Sequence, residues 1–454
     1  MIIILILITE NYMKKIYLVS VLMIPFLSFS LPISAEDEVQ EVVVISSKYP
    51  VPLEEVVGSV DAISVEDLET RMVSDMSDML DKTIGVSVSK RNVSGRAYND
   101  GISIRGLGGK RVNILIDGIR VAEAYTGYGR DVVDVDLLKR VEILKGPSSA
   151  LYGSDGLAGA ISYITKDASD LADFGESYFS VNTSYDEDNE QTKVGFIAAR
   201  VGENIETLLQ VTSRELSQLE LHDDATQELD PFDGEQTSIL AKFQFNLSES
   251  VDATLTLDHQ EFEGEYIFNS QAGMSYFPQV TSTSNVLGMD DGHRERGTIA
   301  LSFSNENSFY DNGSIRFYVQ ETNQKQITTR SKQIFGMGPP TMVSAFRDYQ
   351  FNQEIDGFSA DFFKTINNKN RVHNIVYGIE IENIEIQRPR IRYETNIMTG
   401  AINTFLGGEF YPNKTIPDTE IQRKSLFFND RFEVSYKTTL VFGARYDGYE
   451  LTPI

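Results

Sequence analysis

The stretch Arg140-Val141-Glu142-Ile143-Leu144-Lys145-Gly146-Pro147-Ser148-Ser149-Ala150-Leu151-Tyr152-Gly153-Ser154-Asp155-Gly156-Leu157-Ala158-Gly159-Ala160-Ile161-Ser162-Tyr163-Ile164-Thr165 decides the fold. A short apolar strand over 141–144 runs into a Gly-Pro turn, and a second over 160–165 leaves a glycine cluster at 146, 153, 156 and 159. Glycine at this density lets backbone lie close to backbone. Around it, from about residue 51 to 170, the pattern is that of a small mixed α/β domain. A helix is expected over 65–83, with Leu68, Met72, Met76, Met79 and Leu80 near i, i+4 spacing. Ser64 is placed to cap it, with Asp67 three residues on. Further strands are expected at 102–105 and 112–116, the latter running into an Asp117-Gly118 turn.

Upstream, Lys14 and Lys15 precede an apolar run over 16–31, then Ser34-Ala35 and an acidic Glu36-Asp37-Glu38. This is the layout of a secretory signal, assigned to residues 1–35. The first twelve residues fit it poorly, so Met13 is an alternative start. No other stretch holds the ~18 consecutive apolar residues that a helical span needs, so any membrane crossing is by strands. Cysteine is absent, which excludes a disulfide framework and thiolate metal sites. A net charge of −27 argues against nucleic acid, which needs a basic face.

Downstream, from about 171 to 454, the texture changes to strands of period two. In 253–260, Ala253, Leu255 and Leu257 oppose Thr254, Thr256, Asp258 and Gln260. Eleven strands are expected, near 177–186, 191–201, 205–215, 236–246, 251–262, 297–305, 313–323, 356–366, 371–386, 424–434 and 438–450. Short connections (202–204, 247–250, 367–370, 435–437) alternate with long ones (217–235, 264–296, 324–354, 387–423). A sandwich has no reason to sort loop length by end, whereas an outer-membrane barrel has tight turns on one side and long loops on the other.

An exported chain with a short β-rich peptide, a mixed domain and then barrel strands resembles the TonB-dependent outer-membrane receptors. The matching residues are Ile104-Arg105-Gly106, Asn113-Ile114-Leu115-Ile116-Asp117-Gly118 and the 140–165 stretch. The resemblance implies a mainly β fold: an N-terminal plug over 51–170, then an antiparallel transmembrane β-barrel of which eleven of the expected twenty-two strands are present. An open edge in lipid leaves backbone groups unsatisfied, so the chain reads as the front part of a receptor that cannot close a barrel by itself. Residues 36–50 hold the implied TonB box, with Glu41, Val42, Val43, Val44 and Ile45 adding as a strand to a sheet edge of TonB. Arg105 and Lys145 sit where the family places basic residues that pair with barrel carboxylates such as Glu380, Glu382 or Asp447. Lys145 stands where arginine is more usual, and lysine lacks the bidentate fork.

The segment 156–163 most resembles the haem/haemoglobin/transferrin branch. That implies energised uptake of an iron source, haem or a haem-carrying protein, with TonB and its inner-membrane complex and outer-membrane lipid as partners. Haem would be transported cargo rather than a permanently bound cofactor, and no resident metal site is expected. Candidate ligand-binding residues are Tyr98, Tyr125 and Tyr128 in plug loops, tyrosine being a known haem-iron ligand, and His222 and His293 in long external loops. A siderophore receptor of the same family, and a non-transporting surface-binding or adhesin module, remain open as alternatives. No enzyme is expected: Gly109-Lys110 lacks the rest of a P-loop, and neither Gly-x-Ser-x-Gly nor His-Glu-x-x-His occurs.

Overall fold

Apolar runs in the 51–170 region fold into a five-stranded sheet: β1 (Val60–Ser64), β2 (Val112–Ile116), β3 (Ile119–Arg120), β4 (Leu138–Lys145) and β5 (Gly159–Thr165), in the order β1-β4-β5-β2-β3. This is a computed structural model, and it describes residues 42–45, 47–56, 58–71, 73, 76–88, 101–121, 133–153, 155–187, 190–218, 230–305, 309–368, 371–435 and 437–454. The expected signal segment and Glu41, Tyr98, Tyr125, Tyr128 and His222 lie outside the described residues.

β5 runs parallel to β2 and antiparallel to β4. Its entry explains the glycine cluster. Gly159 has φ +152°, and a Cβ there would stand 2.1 Å from the Leu144 carbonyl oxygen, so only glycine allows the strand to lie against β4. β2 and β3 form a hairpin through Asp117 and Gly118, with φ of +50° and +80°. Two consecutive positive φ values are what a tight hairpin turn requires and what Asp-Gly supplies. The expected single helix is two: Val65–Thr70 and Met76–Leu80. The first begins with the anticipated capping box, Ser64 and Asp67 each bonding the other's backbone N–H. Met79, Leu80, Ile104, Ile143 and Ile161 are fully buried in the core beneath this sheet.

Downstream the chain forms one antiparallel sheet of fifteen strands, four of them short strands off the main path, which runs through eleven in chain order: β6 (Ser177–Asp186), β7 (Gln191–Val201), β8 (Ile205–Ser217), β9 (Phe232–Ser248), β10 (Val251–Ile267), β11 (Thr281–Ser304), β12 (Asn312–Ile334), β13 (Thr341–Asn368), β14 (Arg371–Gln387), β15 (Thr419–Ser435) and β16 (Thr438–Pro453). The strand number agrees with the period-two reading. Among the described residues β6 and β16 end the path and do not pair with each other, so the sheet is an open arc.

Strand lengths differ from expectation. The stretches 264–296 and 324–354, read as long loops, are largely strand. β13 has 28 residues, which spans about 90 Å at ~3.3 Å per residue. The outward face carries the band that hydrocarbon contact needs: Leu257, Ile299, Phe317, Val319, Ile381, Leu426 and Phe428 are each more than two-fifths exposed. About ten residues suffice to cross a bilayer when tilted, so these strands continue well beyond the band. Polar residues there kept the alternation but hid the strand from a reading that equated polarity with loop. Among the described residues no helix is long and apolar enough to cross a membrane.

Candidate functional site

The plug is fixed to the inner face of the sheet by charge. β12 and β13 present Gln320 and Ile355 on that face, opposite each other in register. Gln320 donates to the Arg120 carbonyl, and Ile355 packs with Ile119. Four plug aspartates meet basic residues of the wall. Arg296 on β11 donates to the Ile116 carbonyl at 2.8 Å and reaches Asp117 at 3.3 Å and Asp258 at 2.8 Å. Arg214 on β8 bonds Asp134 at 2.6 Å and also Asp136, which accepts from Lys193 at 3.0 Å. Lys242 on β9 donates to Asp167 at 2.8 Å, and Asp167 also accepts from Lys139. Arg296 and Asp258 are both 1% exposed, so neither charge is tolerable without its partner.

These contacts set the plug carboxylates' protonation. Burial opposes the charged form of Asp117, but Lys242, Arg296 and hydrogen bonds from Thr165 outweigh it and hold the group below its ordinary value of 3.8. Burial likewise opposes Asp167, and Lys242 and Lys139 hold it low.

The N-terminal segment is tied down at both ends. Val42–Val43 pairs antiparallel with Val51–Pro52. The backbone N–H groups of Val44 and Ile45 donate to one Glu142 carboxylate oxygen at 2.8 and 2.7 Å, and Arg140 donates to the other at 2.8 Å. Glu142 is fully buried, so these donors are what make its charge tolerable. Ile45 is buried against Leu115, Leu151, Tyr152 and Ala160. Burial, with Glu142, Glu380 and Asp361 nearby, pushes the Tyr152 hydroxyl far up, so it stays neutral. Immediately after, Lys48 crosses to the wall. Its Nζ lies 2.5 Å from Glu380, 3.5 Å from Asp361 and 3.9 Å above the Phe427 ring. Tyr49 stacks on Phe363 at 4.4 Å. The described part of the expected TonB-binding segment is thus docked, and it must leave Val51–Pro52 before its edge can join another sheet.

The expected seating residues are placed otherwise. Lys145 bonds Asp61 at 2.5 Å and the Ile84 carbonyl at 3.1 Å, all within the plug. Arg105 is exposed, at φ +50°. Among the described residues the plug-to-wall ion pairs are made by Lys48 and the four aspartates. Of the wall carboxylates named for it, Glu380 takes Lys48 and Arg445. Glu382 is bound by Arg423 and Tyr318, and Asp447 by Arg445 and Ser425. In the sequence, Asp117 read only as a turn residue. Its reach to β11 appears only when the hairpin is set against the wall.

His293 also differs from expectation. It lies within β11, not in a loop, and its Nε2 is 3.0 Å from Asn323 on β12. Arg294 and Arg296, one and three residues further along, are buried on the inner face, so by alternation His293 points outward. His259 shares that outward face, mid-strand, with a ring nitrogen 3.4 Å from Glu295.

Comparison with known proteins agrees with this architecture. The family model described as "TonB-dependent Receptor Plug Domain" matches residues 52–160, and that described as "TonB dependent receptor-like, beta-barrel" matches 241–453. Over 124 residues the chain is 37% identical to the vitamin B12 transporter BtuB of Vibrio vulnificus, covering 27% of this chain and 20% of that protein. Over 296 residues it is 28% identical to hemoglobin-binding protein A of Haemophilus influenzae, covering 58% of this chain and 28% of that protein. The matches thus span under a third of each relative's length. Among solved structures, the hemophore receptor HasR of Serratia marcescens, in complex with its hemophore and heme, superposes with a TM-score of 0.65 at 20% identity, over 87% of this chain and 52% of that one. The ferripyoverdine receptor of Pseudomonas aeruginosa superposes with a TM-score of 0.62 at 14% identity, over 91% and 55%. These likenesses show the shared fold.

Proposed function

Because the chain belongs to the TonB-dependent receptor family, a family of outer-membrane transport receptors, we propose that it serves energised uptake of an iron source, haem or a haem-carrying protein before a siderophore. On this reading residues 1–35 are the export signal, residues 41–45 bind TonB, and the long-stranded outer half of the sheet captures the ligand. The observation that carries the energised step is the docking of Val44 and Ile45 on Glu142 beside the Lys48–Glu380 contact. A strand held by a few hydrogen bonds at a domain seam is one that an external sheet edge can take over. Pulling on it loads β4 directly, since Glu142 lies in that strand. The preference for haem rests on similarity to hemoglobin-binding proteins over more than half of the chain.

Deletion of residues 41–45 in the full receptor tests this reading. Ligand binding to cells is expected to stay within twofold while haem-supported growth under iron limitation is lost. Unchanged growth on haem after the deletion would sink it, and would favour a surface-binding module that needs no TonB.

A further inference from the structure

The inner face of β12 and β13 continues past the plug. Gln320, Thr322 and Thr328 are buried on that face of β12. The register between β12 and β13 runs without a shift from Asn312↔Phe363 to Ile334↔Thr341. Arg330 therefore shares the enclosed face with Gln320, about 30 Å further along the strand at ~3.3 Å per residue. Arg347 on β13 stands directly opposite Thr328. On its other side, β13 pairs with the strand Pro389–Asn396, which extends β14 in the same register and sets Arg392 directly opposite Arg347. Arg330, opposite Ala345, is diagonal to Arg347.

Three guanidiniums thus meet on one face, and all three are half-buried. Like charges directly opposite in a sheet are destabilising, so an isolated patch of this kind invites an anion. The neighbouring carboxylates are already engaged: Glu394 by Lys332 at 2.6 Å and Glu409 by Arg390 at 2.5 Å. Among the described residues no carboxylate forms an ion pair with Arg330, Arg347 or Arg392. Aromatic rings edge the patch. The Arg390 guanidinium lies 5.7 Å from the Tyr349 ring centre, and the Tyr411 ring is 5.8 Å from the Arg392 guanidinium.

We propose that Arg330, Arg347 and Arg392 form the anion-recognition site of the receptor's outer vestibule, taking a small iron chelate that carries two or more carboxylates. Guanidinium forks match carboxylates bidentately, and the flanking tyrosines offer a flat, partly apolar surface to the body of such a ligand. This deepens the uptake reading above and rests on it. The same chemistry fits the propionates of haem and the carboxylates of a ferric hydroxycarboxylate, so the test carries both.

The receptor in outer-membrane vesicles is titrated with haem, with haem dimethyl ester and with ferric citrate. The proteins compared are wild type, Arg347→Ala/Arg392→Ala and Arg347→Lys. Losing charged hydrogen bonds is expected to weaken binding of the carboxylate-bearing probe by about 10- to 100-fold in the double variant. Arg347→Lys is expected to fall in between, and the wild-type affinity to drop as salt rises. The ester is expected to bind wild type and double variant alike. As a check independent of ligand, Arg347→Gln removes one of two opposed charges and is expected to raise the thermal midpoint of the unliganded receptor. Equal affinities for haem and ferric citrate in wild type and double variant overturn the proposal, as does failure of wild type to bind either. Loss confined to ferric citrate, with haem not bound, keeps the arginine site and refutes the haem reading.

Discussion

The two faces of the same long strands handle charge differently: a row of glutamates opposed in register lies outward, while arginines, several matched by buried carboxylates, lie inward. Outward, Glu295, Glu321, Glu354, Glu385 and Glu420 stand directly opposite one another across β11 to β15, a few residues along from the apolar band. Inward and further along lie Arg330, Arg347 and Arg392, and near the plug Arg214, Arg294, Arg296 and Arg423 are buried. The formal charge of −27 is therefore a sum over two environments with different partners. The outer glutamates are at least partly in water, where solvent and salt screen their repulsion. The inner arginines near the plug are out of water and must be matched group by group. Overall acidity correctly argued against a nucleic-acid face, but it could not reveal a basic enclosed surface.

The sharpest way to break this contrast is to remove a charge on each face. Arg296→Ala leaves the buried Asp258 with Arg294 alone and takes from Asp117 its wall hydrogen bond, and is expected to cost about 3–5 kcal/mol, read as a lowered thermal midpoint of the folded receptor in detergent. Glu321→Ala on the outer face is expected to change it by less than about 0.5 kcal/mol. Equal losses would mean that burial does not separate the faces.

A second effect follows from Asp117, whose folded-state pKa is depressed below 3.8. A depressed carboxylate contributes stability that is present above the unfolded value and is lost as pH falls through the folded one. The thermal midpoint is thus expected to fall as pH drops below about 4, and Asp117→Asn to show a shallower fall over the same range. Parallel curves for the two proteins would remove Asp117 from the seating of the plug.

The smallest effect concerns the outer row. Glu321→Gln with Glu354→Gln is expected to stabilise the receptor at neutral pH, by about 0.2–1 kcal/mol per relieved pair. That gain should shrink in high salt. A gain that persists in 1 M salt would point to packing rather than repulsion.

The elements differ in how far they could be read ahead. The Ser64–Asp67 capping box, the Asp117-Gly118 hairpin and the strand number rest on interactions between residues close in sequence, and all were legible. The expected helix over 65–83 broke in two, and the outer strand halves read as loops, because there polar composition and local propensity carried more weight than a ladder that only neighbouring strands provide. Lys145, expected to seat the plug against the wall, pairs inside the plug instead. The position of a basic residue says nothing about which of several carboxylates it will face, and Asp61 of the plug proved nearer to Lys145 than any wall residue.

Sequence by itself determined the mixed domain followed by alternating strands, the Asp117-Gly118 turn, and, through the family resemblance, the class of receptor. These depend on backbone conformation and on the side-chain period along a single strand. Only the tertiary structure decided that Lys48 anchors the N-terminal segment, that His293 points outward, and that Arg347 confronts Arg392. Lys48 finds its partners only once the N-terminal segment is laid against the wall, and Arg347 meets Arg392 only through the register of their strands, where a shift of a single residue would turn each side chain to the opposite face.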